Sequence, residues 1–135
     1  ARLELAMRHA YHAADAAPVA PDALVSIAPD ALMGIRLRIA PAVQVIVSDF
    51  PIAAIYRANT RAGAPKPVMQ PEAVVITRAG FDPQLHATNA AGAACITALQ
   101  NGQTLGQAMA TTDDSLDLGA VLGLLLAQNA ITEIY

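Results

Sequence analysis

His9 and His12 are spaced i, i+3 on a stretch with helical periodicity, close to Asp15. Two imidazoles and a carboxylate would be the start of a metal site. Surface histidines flanking an apolar stripe are the commoner arrangement, so no metal is expected. Cys95 lies among Ala93, Ala94 and Ile96 with no basic neighbour, which suits a small buried hydrophobe better than a thiolate nucleophile. Asp113, Asp114 and Asp117 could act as paired acids, but their place just ahead of an apolar helix fits capping and dipole complementarity better. Ser26, Ser48 and Ser115 lack the strand-turn-helix setting of a nucleophile elbow. His86 falls on an expected strand with no evident partner. Arg36 and Arg38 on one strand face, with Arg78 at the end of another, could gather an anion or a peptide carboxylate, although solvated strand edges account for them as well. No catalytic constellation emerges, and neither an enzyme nor a bound cofactor is expected.

The elements that would position these residues are set by a chain of 135 residues, 55% hydrophobic and 14% charged. That composition provides ample core and little material for a disordered tail. Aromatics are few (Tyr11, Phe50, Tyr56, Phe81 and Tyr135), so the core must be aliphatic and lined by alanine. A net charge of −3 argues against affinity built on phosphate neutralisation, while Arg57, Arg61 and Lys66 leave room for a local basic patch. The single cysteine excludes an intrachain disulfide and a cysteine-based zinc site. No secretory signal pattern is seen. The longest apolar run, Leu118 to Ala127, falls short of the ~20 residues of a membrane span, and a cytoplasmic location is expected. The chain does not begin with Met, as expected of a processed or trimmed polypeptide.

In chain order, Leu3, Met7, Ala10, Tyr11 and Ala14 form one apolar stripe of a helix over residues 2 to 14. A Pro-containing break follows, then short helical turns from Pro21 to Ile27 and from Pro29 to Met33. Ile35-Arg36-Leu37-Arg38-Ile39 alternates as a half-buried strand does. Val43 to Val47 is β-branched and would pair with or extend it, although a helix is also open to it because Pro41 suits a first turn. Asp49-Phe50-Pro51 opens a helix with Ile52, Ile55 and Tyr56 on one face, ending by Gly63. Residues 64–71 hold three prolines and form an extended connector, dividing an N-terminal helical and β segment (1–63) from a second unit (72–135).

That unit reads β-β-α-α-α-β. It begins with strands Ala73 to Thr77 and Gln84 to Ala87, joined by a turn at Gly80 to Pro83. A helix from Ala90 to Asn101 is stopped by Gly102, which suits a positive φ. Thr104 and Gln107 then form a capping box. Asp117 caps the last helix, with Leu116 and Val121 as a hydrophobic staple, and Ile131 to Tyr135 is a final strand.

Several ordered signals resemble one family. They are Leu3-Glu4-x-Ala6-Met7, Ile35-Arg36-Leu37-x-Ile39-x-Pro41-Ala42-Val43, Phe50-Pro51-Ile52-x-x-Ile55-Tyr56, and Val75-Ile76-x-Arg78. Ala98-Leu99-x-x-Gly102-Gln103-Thr104-Leu105-Gly106-x-Ala108 follows, and then Leu116-Asp117-Leu118 through Asn129-Ala130-Ile131. Together they are similar to bacterial accessory proteins that carry a DNA-binding-domain name and partner multinuclear non-haem iron enzymes. Those enzymes modify ribosomally made peptides, as in methanobactin and bufferin biosynthesis. The resemblance covers nearly the whole chain, although the family usually has a further helical section upstream. It implies a non-catalytic subunit that binds the iron enzyme and helps recognise the leader of a precursor peptide. Phe50, Pro51, Ile52, Tyr56 and Arg57 are the expected partner-binding residues.

Leu85-x-x-Thr88-Asn89-x-x-Gly92 and the following helix also resemble small winged-helix modules that recognise leader peptides. There the leader adds as an extra strand, with backbone hydrogen bonds giving affinity and alternate pockets giving selectivity. The resemblance implies an α+β fold with a winged-helix-like C-terminal module. Its peptide-binding residues would be Gln84, Leu85 and His86 on the strand and Val121, Leu122 and Leu125 on the last helix, unless these last are wholly buried. A DNA-binding transcriptional regulator is the alternative. It is disfavoured because neither Thr104 to Thr111 nor Asp117 to Gln128 carries a Lys or Arg.

Overall fold

A computed structural model describes residues 2–60, 62–63, 66 and 70–135. Among them are six helices and two antiparallel sheets, a mixed α+β architecture. The Pro-rich connector falls largely outside the described residues, as does Arg61 of the expected basic patch.

The larger sheet has three strands in the order β2 (Gln44–Ser48), β3 (Glu72–Thr77), β4 (Gln84–Thr88). In β3 every residue from Ala73 to Thr77 is buried, because both faces of the sheet are covered. Val74 and Ile76 meet Leu3, Ala6 and Ala10 of α1 (Arg2–His12) and Ala53 of α3 (Ile52–Thr60). Val75 points the other way. It joins Cys95, Ile96 and Leu99 of α4 (Ala90–Gln100), Leu105 of α5 (Leu105–Ala110), and Val121 and Leu125 of α6 (Leu118–Ala127). Burying each of the Val, Leu and Ile side chains contributes about 1.5–3 kcal/mol. Alanines on α1 and α4 let these helices approach closely. Gly92 is required there, since a Cβ would stand 2.2 Å from Thr88 Oγ1.

Local capping follows the side chains. Asn89 accepts from Gly92 N–H at the start of α4, and Asp117 accepts from Ala120 N–H at the start of α6. The Thr104–Gln107 capping box is formed. Gly102 has φ +83° and Asn129 φ +55°. After each helix the chain turns back with the paired bonds of a Schellman motif: Gln103 N–H to Ala98 O and Gly102 N–H to Leu99 O, then Ala130 N–H to Leu125 O and Asn129 N–H to Leu126 O.

The strand from Val43 to Val47 neither extends nor pairs with its predecessor. β1 (Leu37–Ile39) pairs with β5 (Ile131–Ile134), and just ahead of β1 Leu105 N–H donates to Ile35 O at 2.8 Å. β2 pairs with β3 instead. Strands from either side of the connector therefore share both sheets. The first helix ends at His12, short of Ala14. Residues 21–26 form turns with i→i−3 bonds instead of a regular helix. Ile55 is exposed, while Ile52 and Tyr56 pack against the α1/α3 core.

Candidate functional site

β4 closes one side of the three-stranded sheet. Beyond its pairing with β3, no backbone group from Gln84 to Thr88 has a hydrogen-bond partner among the described residues. The other strand edges are more engaged. Val19 N–H donates to Ile131 O beside β5 at 2.9 Å, and the β2-side carbonyls of Val43 and Val47 accept from Gln100 and Arg2.

A cavity lies on either side of β4. One of about 540 Å³ separates it from α6, with His86, Ala120, Val121 and Leu124 on its walls. The other, about 470 Å³, lies toward α1 and α3 and is lined by Met7, Tyr56, Thr60 and Leu85. Arg57 borders both. The free edge thus runs between two hollows, with a guanidinium at their shared lip.

His86 has the partner that was not evident from sequence. Its register opposite Val75 turns it toward the α6 side of the sheet. Its Nε2 lies 2.9 Å from Thr77 Oγ1, and Thr77 donates its hydroxyl to Gln128 Oε1 at 3.1 Å. With that hydrogen spent, Thr77 accepts from His86 Nε2–H, leaving Nδ1 as the unprotonated nitrogen of the neutral ring. Burial, then the nearby Arg57 charge, holds the imidazole below its usual pKa. Thr77 is the one buried polar side chain among the described residues. Its signal in the sequence is a threonine ending the aliphatic run from Ala73 to Ile76.

The expected peptide-binding residues divide. Gln84, Leu85 and His86 are on the free strand, with Leu85 reaching the α1/α3 core. Val121 lines the cavity. Leu125 is fully buried in the core and Leu122 packs against it, outside the cavity lining. Ala120 and Leu124 stand there instead, because the stripe of α6 that borders the cavity is offset from the one that faces the core.

The expected partner-binding set also spans two places. Phe50 is 59% exposed and lines a separate hollow with Leu3, Val47 and Ile52, on the β2 side of the sheet. Pro51 is buried. Tyr56 and Arg57 face the β4 side.

The other candidates are tied into the fold. The Arg78 side chain is nearly buried and donates to Ala13 O at 2.9 Å and Asp15 Oδ1 at 2.6 Å, fastening the end of α1. Arg36 donates to Gly102 O at 3.0 Å. Arg38 pairs with Glu133 at 2.8 Å and lies over the Tyr135 ring. These three arginines form no shared anion patch. No group of three or more potential metal ligands occurs among the described residues. Cys95 is buried, and burial pushes its thiol pKa up. Asp113 is held below the usual carboxylate range by Ser115. No described helix is long and apolar enough to cross a membrane. Compared with known protein families and with curated proteins, the chain matches none.

Proposed function

We propose that this chain is a non-catalytic subunit that binds an extended peptide by strand addition at β4. The observation that carries the reading is the unpaired edge of β4 between two cavities, with α6 on one side and α3 on the other. An added strand would satisfy the idle backbone groups, and its alternate side chains would fall into the two hollows. The order β3-β4-α4-α5-α6-β5 is compatible with a winged-helix-like peptide reader, and the ordered family resemblance supports the same role. On that resemblance, the peptide is the leader of a ribosomally made precursor and the partner is a multinuclear non-haem iron enzyme, which supplies the reactivity. The exposed Phe50, beside the opposite strand β2, leaves the partner a surface apart from the peptide site. α5 and α6 carry no cationic side chain, so duplex DNA is the weaker ligand.

Co-expression with an iron enzyme of that type and its precursor peptide tests the reading. The chain should co-purify with the enzyme, and leader peptide should slow hydrogen exchange at Gln84–Thr88. A chain that elutes alone, with β4 exchange unchanged by leader, counts against it.

A further inference from the structure

We propose that the strand added at β4 is read at one position for an acidic side chain, whose carboxylate is held by the Arg57 guanidinium beside His86. This rests on the strand-addition reading and supplies the chemistry that would select among peptides.

Arg57 comes from the last turn of α3, yet borders the cavities on both sides of β4. It is half-buried, and among the described residues no carboxylate pairs with it. A guanidinium offers several fixed donors and no acceptor, and it is a strong partner for a carboxylate where water is partly excluded. The cation is set at the groove with its complement missing.

His86 is held beside it. Its Nε2–H is committed to Thr77, and Thr77 in turn to Gln128. Nδ1 is therefore the nitrogen left to meet an occupant. When the ring takes a second proton, Nδ1–H becomes a further donor to a carboxylate already held by Arg57.

The same cavity holds one opposite charge, Asp117. It lies toward the far end of β4, since Asn89 donates to the nearby Ser115 O, and its carboxylate is engaged by Ala120 N–H. The groove is thus positive at Arg57 and negative beyond Asn89. An acidic residue complements the first place and is repelled from the second, so charge sets the register as well as the preference.

Selection of short random peptides displayed against the full chain tests this, in parallel on wild type, Arg57→Gln and Arg57→Lys. Among the described residues the Arg57 side chain makes no hydrogen bond, so both variants are expected to fold. Wild-type pools should enrich Asp or Glu at one position. An enriched Glu peptide should bind about tenfold more tightly than its Gln twin, the scale of a charge-assisted hydrogen bond. Arg57→Gln should erase the difference and Arg57→Lys retain part of it. Peptides that protect Gln84–Thr88 from exchange without an acid preference, or with one that survives Arg57→Gln, overturn the assignment and leave strand addition intact. Selected peptides that leave β4 exchange unchanged sink strand addition and this inference together.

Discussion

Nε2 of His86 lies 2.9 Å from the hydroxyl of the fully buried Thr77, within hydrogen-bond distance. This bond ties an edge-strand side chain to the sheet interior and, through Gln128, to the end of α6. The strand proposed to receive a peptide and the helix beside it are therefore coupled by side chains, without a shared backbone ladder.

That coupling makes stability depend on pH. The folded-state pKa of His86 lies below its ordinary value of 6.5, chiefly through burial and then through Arg57. Asp117, in the same cavity, is the nearby negative charge. In the window between the lowered folded pKa and 6.5, the unfolded chain holds more protons, so stability falls on acidification and is flat above it. Urea midpoints from about pH 5 to about pH 8 should show a smaller acid loss for His86→Gln than for wild type. Equal slopes would refute the assignment. Nitrogen shifts of the neutral ring should report the Nε2–H tautomer, and Thr77→Val should cost about 1–3 kcal/mol by orphaning both partners.

Gly92 and Gly123 should respond oppositely to alanine. At Gly92 the new methyl meets Thr88 Oγ1 at 2.2 Å, and the expected cost is about 1–3 kcal/mol. The added substitution Thr88→Ala should recover most of it. At Gly123, in the interior of α6, nothing lies within 4 Å, and helix propensity predicts a gain of about 0.5–1 kcal/mol. Thermal melts of the three variants decide the matter. A harmless Gly92→Ala alone would show that Thr88 rotates away freely.

Arg78 should matter through α1. Its guanidinium bonds the carbonyls of Tyr11 and Ala13 and the carboxylate of Asp15. Arg78→Met should cost about 2–4 kcal/mol, as bonds to a charged group are lost and helix-end carbonyls are left bare. Amide exchange should quicken in α1 well before α6. Uniform quickening across both would mean that Arg78 serves the whole fold and not this one junction.

Much of the local structure was legible from residue types alone. Asp117, the Thr104–Gln107 pair and Gly102 act on backbone within a few residues, so their roles are contained in short stretches of sequence. The same is true of β3, whose aliphatic run marks a strand, although the cover on both its faces comes from the packed helices. Pairing was not contained there. β-branched residues from Val43 to Val47 are equally suited to β1 or β3, and only the tertiary structure pairs β1 with β5 and β2 with β3. Likewise, sequence indicates an apolar α6, but whether Leu122 or Leu124 borders the cavity depends on how that helix is rotated against its neighbours. The site is decided at longest range: Thr77 meets His86 across 9 positions and Gln128 across 51, and Arg57 comes to the same edge from another helix. Such contacts depend on strand register and layer order, which arise only when the whole core closes.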